Sequence, residues 1–136
     1  MAIAGGNASQ NPDAGISGTL SALYWDALLA CNRETELRSV LNQAVVRGSR
    51  EVAAVAQIKR GDMDKKAGRP KMALVDGYLR TVLLFQDIKS VQPEALYKAM
   101  KCFDEMGQNG SAEQMRKRLL EGFSTSAWAE KVKSGV

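Results

Sequence analysis

Side-chain acid–base catalysis most often uses histidine, and this chain of 136 residues contains none. Its absence removes the Ser–His and Cys–His nucleophile pairs together with the commonest metal ligand. The two cysteines, Cys31 and Cys102, stand far apart with no CxxC pairing, too few for a structural zinc site or a disulfide framework. Both are expected to be buried small hydrophobes in a reducing compartment, cytoplasmic or similar. The carboxylates to search for a general acid–base pair are Glu34, Glu36, Asp76, Asp87, Asp104 and Glu105. None lies within an apolar run that suggests burial, so solvated helix surface is expected of all six, and of Lys89 and Lys98. Gly5-Gly6 and the glycines at 107 and 110 lack the lysine and Ser/Thr of a phosphate-binding loop. This inventory argues against most enzyme classes while leaving a carboxylate or lysine mechanism open. No catalytic residue, metal ligand, cofactor or small-molecule substrate is expected.

The strongest local chemistry is cationic. Between residues 47 and 71 there are eight Lys/Arg against three Asp/Glu, a net of +5, whereas the whole chain is +4. Within it, residues 59–71 (KRGDMDKKAGRPK) carry two glycines, eight charges and no evident buried stripe, the pattern of a solvated loop. Lys59, Arg60, Lys65, Lys66, Arg69 and Lys71 are its candidate phosphate contacts, with Arg116, Lys117 and Arg118 as a second set. Gly68-Arg69-Pro70, flanked by Lys66 and Lys71, resembles the core of an AT-hook. That resemblance covers about six residues and implies an extended arm in an A·T-rich minor groove. Ala67 departs from it, standing where a second arginine belongs. Arg60-Gly61-Asp62 and the sequons Asn7-Ala8-Ser9 and Asn109-Gly110-Ser111 are short enough to arise by chance. The second sequon reads better as a turn before a helix cap at Ser111.

These residues must be positioned by helices, because apolar residues recur at spacings of three and four and no segment alternates with period two. Residues 1–16 are small and mostly uncharged, which predicts a flexible tail, or more sharply a type III-like export signal. From Thr19, read as a cap, the first helix places Leu20, Leu23, Tyr24, Ala27, Leu28 and Cys31 inward. The second carries Leu37, Val40, Leu41, Ala44 and Val45 and ends at Gly48. Ser49 caps a short alanine-rich third helix. Pro70 starts a helix reaching about Lys89, apolar on nearly every side and so expected to be central, with Gly77 available for a close crossing. Pro93 opens the next helix, which carries Leu96, Ala99, Met100 and Phe103 and closes at Gly107. Ser111 and Gln114 have capping-box spacing before Met115, Leu119, Leu120 and Phe123. A last helix carries Trp128 and Val132. Residues 95–120 resemble one hairpin of a TPR- or PPR-type repeat, but the period does not recur upstream.

The expectation is therefore all-α: a compact bundle of six or seven helices over residues 17–136, with no stretch approaching the ~20 residues of a membrane span. The functional reading is a non-catalytic interaction protein (adaptor, regulator or assembly subunit) that contacts another protein or a second copy of itself. Trp25 is its candidate exposed anchor, because the apolar set on its helix wraps past one stripe. The alternative is a nucleic-acid binder, of DNA or RNA, using the basic segment.

Overall fold

The computed structural model describes the backbone of residues 14–135 and the side chains from Ser21 onward. Most of the expected tail and the first sequon lie outside those residues. Seven helices are described: α1 (Ala14–Ala30), α2 (Glu34–Arg47), α3 (Arg50–Lys66), α4 (70–84, with a wider π turn over Ala73–Tyr78), α5 (Gln92–Glu105), α6 (Asn109–Gly122) and α7 (Ala127–Lys133). There is no strand among them. The class and helix number are as expected, although α1 begins at Ala14, inside the expected tail and ahead of Thr19.

The centre of the bundle is not the Pro70 helix but α3. Ser49 caps it as anticipated, its hydroxyl accepting from Val52 N at 3.2 Å. The helix then runs on through the segment read as a loop, as far as Lys66, and nine of its 17 residues are buried. One side of α3, with Ala53, Ala54 and Ile58, packs into a large core shared with α4 to α7. The other side, with Val52, Ala56 and Met63, packs against Trp25 and Leu28 of α1 and Leu37, Leu41 and Ala44 of α2. A helix sandwiched between two cores buries residues all round, so it lacks a single apolar stripe.

Close approach of α3 and α4 rests on two glycines. A Cβ built on Gly77 would lie 2.4 Å from Gly61 Cα and 2.7 Å from Gly61 N. The two backbones touch there, confirming the crossing read at Gly77 and identifying Gly61 as its other half. Gln57 ties the same crossing by donating its side-chain amide to the Asp76 carbonyl.

Helix α4 stops at Leu84 rather than near Lys89 because distant side chains take up its last carbonyls. Gln92, buried, donates to Thr81 O at 3.1 Å and Phe85 O at 2.7 Å. Arg50 donates to Leu84 O at 2.9 Å, grips Asp87 with Nε at 2.8 Å, and stacks on the Phe85 ring at 4.9 Å. That guanidinium holds the Asp87 carboxyl below its ordinary range.

Helix α1 buries only Leu28 of the expected stripe among the residues whose side chains are described. Trp25 is 3% exposed and packs with Leu28, whereas Leu23 and Tyr24 are exposed, as is Cys31. Trp25 is thus a core residue and is set aside as an exposed anchor. Cys102 is buried, as expected, and burial raises its thiol pKa. The last two helices pack as read, with Met115, Leu119 and Val132 buried, but α6 starts before Ser111, which makes no cap. No described helix is long and apolar enough to cross a membrane.

Candidate functional site

The cationic residues singled out in the sequence do not form one basic arm. Lys59 pairs with Asp26 of α1 at 2.8 Å and Lys65 with Glu105 of α5 at 2.9 Å. Lys66 donates to the Leu29 carbonyl of α1. Arg69 reaches Asp64 at 3.0 Å and Glu34 of α2 at 3.2 Å. Arg38 joins the same network, 3.3 Å from Glu34 and 3.4 Å from Asp64, whose side chain is only 5% exposed. The two arginines lower the Glu34 pKa, Arg69 most. The Gly-Arg-Pro triplet is therefore a helix entry: Gly68 turns at φ +80°, Arg69 stands at the N-cap position without a side-chain capping bond, and Pro70 opens α4. The extended arm implied by the AT-hook resemblance is not formed. Arg60 is half-buried on α3, and Lys71, Arg116, Lys117 and Arg118 are exposed, all without an ion pair among the described residues.

Lys65 and Lys66 nonetheless open onto a cleft of about 380 Å³, where α3, α4 and α5 meet. Its other lining residues are Asp62, Tyr78, Tyr97, Lys98 and Lys101. Tyr78 donates its hydroxyl to Asp62 at 2.6 Å. Lys98 donates to both Asp62 oxygens, at 2.9 and 3.1 Å, and to Glu94 at 2.6 Å. Burial opposes the Lys98 charge, but Asp62 and Glu94 outweigh it and hold the pKa above the ordinary lysine value. Burial, then the Asp62 charge, pushes the Tyr78 phenol far above the tyrosine range. Both groups hold their protons; neither is tuned as a base or nucleophile. Lys101 and Lys131 lie 5.8 and 5.7 Å from the Tyr97 ring centre, and Lys131 stacks on Trp128 at 4.6 Å.

Sequence reasoning missed Tyr78, Tyr97, Lys98 and Lys101 as a group and placed Lys98 on solvated surface. The one local signal was Glu94 four residues before Lys98, the spacing of a helix-surface ion pair.

A second surface carries the opposite chemistry. On α4, Met72, Val75, Leu83 and Leu84 are exposed, the last two at 55% and 59%. Half-buried Leu79 completes a series 72, 75, 79, 83 at spacings of three and four. Asp76 and Arg80 run beside it, 3.7 Å apart. The wrap-around apolar character read for this helix is real, but its surplus faces outward instead of into a core.

No protein-family model, curated protein or solved structure matches the chain.

Proposed function

We propose that this protein is a helical assembly subunit that associates through the outer face of α4, with a second copy as its first partner. The observation carrying the reading is the exposed row Met72, Val75, Leu83 and Leu84 along one helix. Contiguous apolar surface of this kind mostly marks an interface, whereas exposed apolar residues scattered singly need no explanation. The row is also self-complementary. Two copies of α4 laid antiparallel about Leu79 bring Val75 opposite Leu83 of the second copy, an isologous arrangement. Asp76 then comes close to Arg80 of the other copy, and their intrachain contact, at 3.7 Å and half exposed, is weak enough to exchange.

Light scattering over a wide concentration range tests this on the full chain. The parent is expected to shift from monomer to dimer as concentration rises, and the Val75→Glu, Leu83→Glu double variant to stay monomeric with unchanged helicity. A parent that remains monomeric throughout, or a double variant that dimerises equally well, would sink the proposal.

The basic segment supports the nucleic-acid reading less well, because Lys59 and Arg69 pair with carboxylates of α1, α2 and α3 and the Gly-Arg-Pro triplet is a helix entry instead of an extended arm.

A further inference from the structure

The outer face of α4 carries charge as well as apolar side chains, and the charge sits at its two ends. An α-helix turns about 100° per residue, so a row at spacing four drifts by about 40° at each step. The π turn over Ala73–Tyr78 spends more residues on its turn and takes up that drift. The inward side follows suit: Ala73 and Leu74, Gly77 and Tyr78, Thr81 and Val82 are buried in pairs at intervals of four. The same interval on the outward side runs Lys71, Val75, Leu79, Leu83, and one further step reaches Asp87.

The ends of this row are opposite in sign. Lys71, in the first turn, is exposed and makes no ion pair among the described residues. Asp87 lies just past the helix end at Leu84, but it does not hang on a free loop. Arg50 of α3 donates to one of its carboxylate oxygens at 2.8 Å and to the other at 2.5 Å, and also holds Leu84 O at 2.9 Å. Each oxygen keeps a lone pair for a further donor, and the side chain is 56% exposed. A free cation and an anchored carboxylate thus bracket the apolar row.

The apolar residues alone do not choose the sense of a helix pair. Parallel copies match each of them with itself as readily as antiparallel copies match Val75 with Leu83. The ends do choose. Parallel packing sets Lys71 beside Lys71 and Asp87 beside Asp87. Antiparallel packing about Leu79 carries Lys71 to Asp87 of the second copy at both rims, since the two are equally far from Leu79 along the chain. Juxtaposed like charges suppress the wrong arrangement, and opposite charges fix the register.

We infer that Lys71 and the Arg50-held Asp87 of the second copy form an ion pair at each rim of the α4 contact, making that contact antiparallel. This direction rests on α4 being the self-association face proposed above.

Sedimentation equilibrium of the full chain at several salt concentrations tests it. Lys71→Gln removes two exposed pairs, so it should weaken dimerisation about threefold and flatten its salt dependence. Lys71→Glu sets like charges at both rims and should weaken it about tenfold, as should Asp87→Lys. Mixing these last two variants restores opposite charges at both rims, so their heterodimer should form more tightly than either homodimer. Asp87→Lys also breaks the Arg50 clasp, and rescue by mixing separates a charge effect from a disturbed fold. Should that variant not fold, Lys71→Gln, which disturbs no described ion pair, still decides the question. Unchanged or tighter dimerisation of Lys71→Gln, the parallel outcome, would overturn the inference while leaving α4 as the interface. So would a folded mixture no tighter than its components. A parent that never dimerises would overturn both.

Discussion

Replacing Gly77 by alanine tests the central packing argument, because two effects of opposite sign compete at that residue. Alanine is favoured over glycine in a helix interior by about 1 kcal/mol, so helix propensity alone predicts stabilisation. The new Cβ would meet Gly61 Cα at 2.4 Å and Gly61 N at 2.7 Å, against about 3.5–4.0 Å for carbon atoms in contact. The obstructing atoms are backbone, so no side chain can swing aside. Helices α3 and α4 must part by roughly 1 Å at their crossing, which loosens Tyr78 against Gly61 and stretches the Gln57 bond to Asp76. Overpacking of this kind costs about 1–3 kcal/mol, and the rigid obstruction puts it at the upper end, leaving a net loss of about 2 kcal/mol. The same substitution at Gly110 and Gly122 of α6 meets nothing within 4 Å. There the propensity term acts nearly alone, and a gain of a few tenths of a kcal/mol is expected near helix ends. Urea unfolding of the three variants, compared by midpoint at constant slope, measures all of this. A Gly77→Ala protein as stable as its parent, or more so, would refute the crossing as the reason for glycine.

Two further outcomes follow from the charged groups. Asp64→Ala should cost about 2 kcal/mol in urea unfolding, because it strips Arg38 and Arg69 of a carboxylate only 5% exposed. That lies below the ~3–5 kcal/mol of a fully buried pair because both arginines keep part of their hydration; a change under about 0.5 kcal/mol would show the network to be incidental. Stability should also fall at alkaline pH. Lys98 and Tyr78 both have folded pKa values raised above their unfolded ones, so the native state retains protons that the unfolded chain gives up above about pH 10. Their contribution is complete below that pH and is lost as the pH climbs through the raised values. The unfolding midpoint should drop between about pH 8 and about pH 11, and less steeply in Tyr78→Phe; equal slopes in the two proteins would remove Tyr78 from the explanation.

Much of this architecture is legible along the chain because it depends on local rules. Spacings of three and four, Ser49 and Pro70 at helix starts, Gly48 and Gly107 at helix ends, and the missing period-two alternation together specify an all-α bundle, and Gly77 already indicates a close crossing. The failures share a different physics. Residues 59–66 look like a loop because charge and glycine are costly inside a helix, unless partners and a neighbouring backbone compensate. Those compensations, Asp26, Glu105, Arg38 and Gly77, come from α1, α5, α2 and α4, and no local pattern exposes them. In α1 the apolar residues go nearly all round, so periodicity alone cannot choose a face. Contact with α2 and α3 buried Trp25 and left Tyr24 outside. The end of α4 depends likewise on Arg50 and Gln92. Local sequence alone determined where most helices form and their class. Tertiary structure decided which helix is central, which cations are spent on internal partners, and that Lys65 and Lys66 join Lys98 and Lys101 around one cleft. Those outcomes depend on distances between residues far apart in the chain, which exist only after the helices have packed.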